Sequence, residues 1–231
     1  MAYGFLREIF KRMRVFDVLR GVDYFLFKNE VVAYYFLNSV PYENRKLFVR
    51  SLDPGRYGAI KLAIDRIRNE RIPGCFAEVG VYKGNTSRVV HTLAPEKTYY
   101  LFDTFEGFPD KDLGANEDDR WKDMSLDMVK RNIGDLSNIV FRKGYFPDSA
   151  KGLENEEFSL VILEVDLYPP TIAGLEFFYD RTSKGGYIFV HDYNNPNDPG
   201  TAQAVNEFMR DKPESIVELP DKNGSIVFRK A

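Results

Sequence analysis

Cys75-Phe-Ala-Glu-Val-Gly-Val-Tyr-Lys-Gly84 is the stretch that decides how the rest of the chain is read. Cys75 to Val79 is a short apolar run that reads as a buried strand. It carries one acid, Glu78, and leads into Gly80. Asn85, Thr86 and Ser87 then open a helix. A strand that turns through glycines into a helix N-terminus exposes unpaired N–H groups and lets the backbone approach a ligand closely. That is an arrangement for binding nucleotides. The dinucleotide pattern G-x-G-x-x-G is absent, since Gly80 and Gly84 stand alone. A carboxylate at Glu78 instead suits a ligand that is cationic near this turn, such as the ammonium of a methionine moiety. The plain alternative is that Gly80 ends a strand and Glu78 is a solvated acid.

Downstream of this turn, strand and helix patterns alternate. Strands are expected at Thr98–Phe102, Asn138–Arg142, Phe158–Asp166 and Tyr187–Val190. Phe158–Asp166 is a continuous apolar run and is placed at the centre of the sheet. Helices are expected from Trp121 to Asn132, after Pro169 or Pro170 with Gly185 and Gly186 closing it, and around Ala202–Met209. Ser215–Leu219 and Ser225–Arg229 flank an Asn-Gly turn and read as a hairpin. Upstream, Ile60, Ala63, Ile64 and Ile67 share one face of a helix over 57–71. This alternation implies an α/β fold: a doubly wound, mostly parallel seven-stranded sheet with a C-terminal antiparallel hairpin, an arrangement that resembles the Rossmann-like fold of class I methyltransferases.

Residues 1–50 differ from the domain at 51–231. Phe5, Leu6, Ile9, Phe10, Met13 and Phe16 recur at helical spacing between basic residues. An aromatic stripe of that size calls for a covering surface, so these residues are read as helices forming a lid or an oligomer contact, with a homodimer as the simplest assembly. The alternative is a helix lying on a membrane surface. The loop over 104–120 is polar, contains Gly and Asp, and is long enough to suspect function.

Composition narrows the classes. The chain has 231 residues, a formal net charge of −3 and 15% aromatic residues, which describes a globular protein and not a general nucleic-acid binder. Cys75 is the only cysteine, so neither an internal disulfide nor a thiolate metal cluster is available. Arg7, Lys11, Arg12, Arg14 and Arg20 interrupt the first twenty residues, which do not read as a signal peptide. A cytoplasmic protein is expected.

Ligands of such sheets bind at the C-terminal strand ends, so the residues there carry the functional reading. Asp103 ends the second strand and suits two ribose hydroxyls. Gly144, Tyr145 and Phe146 follow the third, where a glycine permits close approach and the aromatics border an adenine ring or form a simple core turn. Asp166 ends the fourth strand, and His191 and Asp192 follow the fifth. Two carboxylates and an imidazole converging on one point suit a divalent ion such as Mg²⁺ or Mn²⁺, with Asp166 or His191 as the base. The alternative is a hydrogen-bonded strand-end pair.

At these residues the sequence resembles the macrocin O-methyltransferase (TylF) family. The resemblance is carried by Ala77-Glu-Val-Gly-Val-Tyr-Lys-Gly84, Phe102-Asp-Thr-Phe-Glu-Gly-Phe-Pro109, Lys143-Gly-Tyr-Phe-Pro-Asp148, Val165-Asp-Leu-Tyr168 and His191-Asp-Tyr193, in consistent order. It implies an S-adenosylmethionine-dependent, divalent-metal-dependent O-methyltransferase acting on a hydroxyl of a sugar or glycosylated small molecule. It implies that Glu78, Gly80 and Gly84 hold the methionine end of the cofactor, that Asp103 with Thr104 holds the ribose, and that Gly144, Tyr145 and Phe146 border the adenine. Asp166, His191 and Asp192 are the implied metal ligands, with Asp166 and His191 catalytic. His191 stands where the family's Asp-Asp-Tyr pattern has its first acid, and Pro169-Pro170 stands where a more polar pair is expected. A nicotinamide-binding oxidoreductase and a non-catalytic protein of the same fold are the rival readings.

Overall fold

A computed structural model of the chain describes residues 53–107, 124–196 and 199–231. The chain divides between Pro54 and Gly55 into two units. The second carries everything below, and the expectations for residues 1–50 and most of the 104–120 loop lie outside the described residues.

The elements follow the alternation read from the sequence. They are α1 (Pro54–Glu70), β1 (Cys75–Val79), α2 (Asn85–Leu93), β2 (Tyr99–Asp103), α3 (Leu126–Ile133), β3 (Ile139–Lys143), a 3₁₀ turn at Asp148–Ala150, β4 (Phe158–Leu163), α4 (Tyr168–Tyr179), β5 (Thr182–Val190), α5 (Gly200–Met209), β6 (Val217–Leu219) and β7 (Ser225–Arg229). The seven strands form one sheet in the order β3-β2-β1-β4-β5-β7-β6. β1 to β5 pair in parallel, and β7 runs antiparallel between β5 and β6.

All six residues of β4 are buried, as its central place demands. Strand alternation sorts the flanking residues onto two faces. Ala77, Val79, Val161, Leu163, Ile188 and Val190 pack with Leu175, Phe178 and Val205 of α4 and α5. A knot of rings anchors that face: Phe146 stacks on Phe178 with centroids 5.5 Å apart, and both meet Phe102 edge-on. Each such ring contributes about 1.5–3 kcal/mol by burial. The alternate residues of β1, Phe76 and Glu78, lie on the opposite face. There Phe76 meets the ring of Tyr99, and Glu78 meets Ser87 of α2.

Three boundaries differ from expectation. β4 ends at Leu163, so Glu164, Val165 and Asp166 belong to the loop that follows. α3 begins after Ser125, whose hydroxyl accepts from the Met128 N–H. That leaves the expected start at Trp121 outside the described residues. Gly185 and Gly186 do not close a helix but lie inside β5. A side chain at Gly186 would sit 2.9 Å from the Ser183 carbonyl oxygen and 3.0 Å from that of Ser159, so the strand passes its neighbour there only as bare backbone. Among the described residues no helix is long and apolar enough to cross a membrane.

Candidate functional site

Strand register builds the site before any side chain is considered. Val79 pairs with Phe102 on one side and Leu163 on the other, and Leu163 pairs with Val190. The ladder continues one step further: the N–H groups of Gly80, Glu164 and His191 donate to the carbonyls of Phe102, Val79 and Leu163, each at 2.9 Å. Asp103, Gly80, Glu164 and His191 therefore stand in one row across four strand ends.

At the first position of that row the carboxylate of Asp103 ties two loops together. Its Oδ2 accepts from the N–H groups of Val81 at 2.7 Å and Tyr82 at 3.0 Å, and its Oδ1 accepts from Phe105 at 2.7 Å. A carboxylate offers about four lone pairs, so this use leaves room for one further donor. Thr104 is taken up by the adjoining turn: its hydroxyl donates to the Gly107 carbonyl and accepts from the Glu106 N–H.

Gly80 has φ +86°, and a Cβ there would lie 1.9 Å from the Glu164 carbonyl oxygen. Its bareness is thus required by the neighbouring strand end as well as by any ligand. Gly84, in the left-handed region at φ +74°, caps α2 and packs on Val129 and Ile133 of α3.

Glu78 is not a solvated acid, nor does it line the surface of the turn. It is fully buried, and its Oε2 accepts hydrogen bonds from Ser87 Oγ at 2.9 Å and from the Tyr99 hydroxyl. Oε1 has no hydrogen-bond partner among the described residues. Burial pushes the carboxyl up to about 8, an effect that the bonds from Tyr99 and Ser87 reduce without cancelling.

The third strand end also differs from expectation. Gly144, at φ +136°, and Tyr145 are half-buried, but Phe146 is buried in the ring cluster against Phe102 and Phe178. It does not border a ligand cleft, because the aromatic core of α4 takes it.

Past β4 and β5 the structure does bring the expected residues together, along with others that the sequence reading missed. The His191 ring lies 2.6 Å through Nδ1 from Asp192 Oδ2, 3.0 Å through Nε2 from the Lys222 carbonyl oxygen, and 3.7 Å from Glu164 Oε1. Burial disfavours a charged ring, yet the hydrogen bond to Asp192 and the charge of Glu164 outweigh it and raise the imidazole above its ordinary value. Asp192 is buried, which alone would raise it. The hydrogen bonds with His191, Asp166 and Asn223 instead hold it well below the usual carboxylate range. Asp166 and Asp192 each adopt positive φ, +58° and +60°.

The residues missed are Glu164, Arg56, Tyr57 and Thr86. Arg56 Nη1 lies 2.6 Å from Glu164 Oε1, and Thr86 Oγ1 lies 3.5 Å from Oε2 and 3.1 Å from the Tyr57 hydroxyl. The available signal was Glu164 itself, a charged residue inside a run read as apolar to Asp166.

These donor atoms do not fit the divalent ion expected on Asp166, His191 and Asp192. Both nitrogens of His191 face oxygen acceptors. Asp192 Oδ2 faces that ring, and its Oδ1 accepts from Asn223 at 2.7 Å and Asn195 at 3.4 Å. Asp166, the third of the expected set, is half-exposed and shares a hydrogen bond with Asp192.

The curated relatives found by sequence comparison carry O-methyltransferase names. The chain is 25% identical over 156 residues to the 8-demethyl-8-(2,3-dimethoxy-alpha-L-rhamnosyl)-tetracenomycin-C 4'-O-methyltransferase of Streptomyces olivaceus, covering 60% of each chain. It is 24% identical over 152 residues to the demethyldecarbamoylnovobiocin O-methyltransferase of Streptomyces niveus, covering 58% of each. The match thus spans less than two thirds of these relatives' length. Among solved structures, the O-methyltransferase NovP superposes with a TM-score of 0.65 at 22% identity, covering 77% of this chain and 80% of that one. The calicheamicin methyltransferase CalS11 follows at 0.62 and 19%, covering 87% and 90%. Both show the same fold. The profile described as Macrocin-O-methyltransferase (TylF) matches residues 54–223, a span that contains every strand-end residue named above, and the chain therefore belongs to the macrocin O-methyltransferase (TylF) family.

Proposed function

We propose that this protein is an S-adenosylmethionine-dependent O-methyltransferase whose acceptor is a hydroxyl of a sugar or of a glycosylated small molecule. The observation that carries the reading is the family match over 54–223, within which the whole strand-end row falls. The relatives' names supply the acceptor class, since one acts on a rhamnosyl group and CalS11 is described as a TDP-rhamnose 3'-O-methyltransferase.

The chain's residues support the cofactor. The unpartnered Oε1 of Glu78 is a buried acceptor beneath the glycine turn, and a cationic group bound there would satisfy it and hold the carboxyl ionised. Asp103 keeps one lone pair for a ribose hydroxyl while it braces Val81 and Tyr82. When bound, the cofactor supplies an electrophilic methyl group, which passes to the acceptor oxygen while the sulfur keeps the electron pair of the broken bond. Asp166, half-exposed in the loop just past β4, is assigned the hydroxyl proton in its ionised form. His191 acts through Asp192 rather than on substrate, because both its nitrogens are engaged. Positioning supplies most of the rate, since the methyl donor is already reactive. The aromatic stripe within 1–50 is assigned to the acceptor mouth or a homodimer contact.

Calorimetry with S-adenosylhomocysteine and with NADH, beside a methyl-transfer assay on deoxysugar glycosides, tests this reading. S-adenosylhomocysteine should bind and NADH should not. Asp103→Ala should weaken S-adenosylhomocysteine by about 1–3 kcal/mol, and Asp166→Asn should stop turnover while leaving that affinity nearly intact. Binding of NADH alone would give the chain to the oxidoreductase class.

A further inference from the structure

We infer that this chain neutralises its strand-end acids with its own cations, Arg56 on Glu164 and His191 on Asp192, and that the cleft takes no divalent metal ion. The inference rests on the methyltransferase reading for what the cleft does, and departs from the metal dependence that the family resemblance implies.

The row of strand ends puts Glu164 beside His191, and the first turn of α1 delivers Arg56 to the same point. The Arg56 and Glu164 side chains are only 10% and 26% exposed, so their 2.6 Å contact is far less screened than a surface pair. Thr86 occupies the second oxygen of Glu164, and the Tyr57 hydroxyl backs Thr86. A ring nitrogen binds a metal through its lone pair. Each nitrogen of His191 is instead aimed at an acceptor oxygen, one on Asp192 and one on Lys222, and each contact requires a hydrogen on the nitrogen. Both oxygens of Asp192 are engaged by His191, Asn223 and Asn195.

An entering divalent ion would have to displace Arg56 or His191 from its acid. Arg56 cannot yield by losing a proton, because guanidinium stays charged in proteins. Asp166 would remain as a single carboxylate, far short of the roughly six to eight oxygens that Ca²⁺ takes and without a second protein ligand to fix the near-octahedral geometry that Mg²⁺ demands. Arg56 and His191 therefore stand where the family's chemistry places a metal charge. Arg56 serves as a positioning residue for Glu164, and His191 for Asp192.

Mn²⁺ is the probe. Wild-type protein, stripped with chelator, is titrated with Mn²⁺ while the free-ion paramagnetic signal is followed, and the same preparation is titrated with S-adenosylhomocysteine. The expected result is an unchanged Mn²⁺ signal and equal S-adenosylhomocysteine affinity with and without chelator. The double variant Arg56→Met/His191→Asp should gain a Mn²⁺ site and deplete the free-ion signal at Mn²⁺ concentrations that leave it unchanged for wild type. Tight Mn²⁺ binding by wild type that Asp192→Asn removes would overturn the inference. Absence of S-adenosylhomocysteine binding in both buffers would sink the methyltransferase reading, while the wild-type Mn²⁺ titration still decides the metal question.

Discussion

Glu78 and Glu214 are two shielded carboxylates whose acidities move in opposite directions. Glu214, before β6, accepts from the Tyr179 hydroxyl at 2.5 Å, Lys230 Nζ at 3.0 Å and the Ala231 N–H at 3.0 Å. Burial works against its charge, but these donors prevail and hold it at about 2. Glu78, under the glycine turn, has two hydroxyl donors on one oxygen, none on the other and no cation bonded to it, and it rises to about 8. The clamp that fastens the C-terminus to α4 is electrostatically complete. The carboxylate under the turn is not: one of its oxygens has no donor among the described residues, and burial therefore prevails.

The largest effect should come from the glycine that follows the Glu78 strand, Gly80. Gly80→Ala would drive a methyl into the Glu164 carbonyl at a positive φ, separating β1 from β4 at their ends. Urea unfolding should show a loss above about 4 kcal/mol. A near-neutral result would mean that the two strand ends are not packed together.

A smaller effect, with a diagnostic pH dependence, is expected of Glu78→Gln. The folded carboxyl titrates near 8, above its ordinary 4.5, so the folded state binds the extra proton and loses stability as pH rises through that window. The glutamine variant should escape this loss, which amounts to roughly 3–5 kcal/mol between the two limits. It should also bind S-adenosylhomocysteine more weakly. Parallel stability–pH curves for wild type and variant would break the contrast between the two acids.

The smallest effect belongs to Glu214→Gln. A carboxyl held at about 2 stabilises the fold above 4.5 and ceases to do so as pH falls from 4.5 toward 2. The variant should lose about 1 kcal/mol near neutrality, a modest figure because a glutamine carbonyl can still accept from these donors, and nothing in strong acid. A deficit that persists at low pH would assign the effect to packing.

Much of this was legible in the residues. The alternation of strand and helix patterns placed all seven strands in order, with β5 beginning at Thr182, five residues before its expected start at Tyr187, and the Asn-Gly turn marked the hairpin that closes the sheet. Asp103 and the His191-Asp192 pair were found because an apolar run that stops at a charge marks where a buried strand leaves the core, and Glu164 was missed because its run was carried on to Asp166. Phe146 and Gly185-Gly186 were not readable in the same way. An aromatic after a turn is the same letter whether it faces a ligand or a core, and paired glycines permit either a helix end or a strand that passes close to its neighbour.

The sequence by itself determined the α/β class, the glycine turn after β1 and the gathering of acids at one edge of the sheet, because those depend on local periodicity and backbone freedom. Only the tertiary structure decided what each acid faces. Asp103 braces the N–H groups of a turn, Glu78 keeps an orphan oxygen, Glu164 takes Arg56 and Asp192 takes His191. Arg56 and Glu164 are 108 residues apart in the chain, and strand register brings them to a single point. A carboxylate's protonation and reach are set by the nearest few charges and donors, whose identity depends on that long-range register rather than on sequence neighbours.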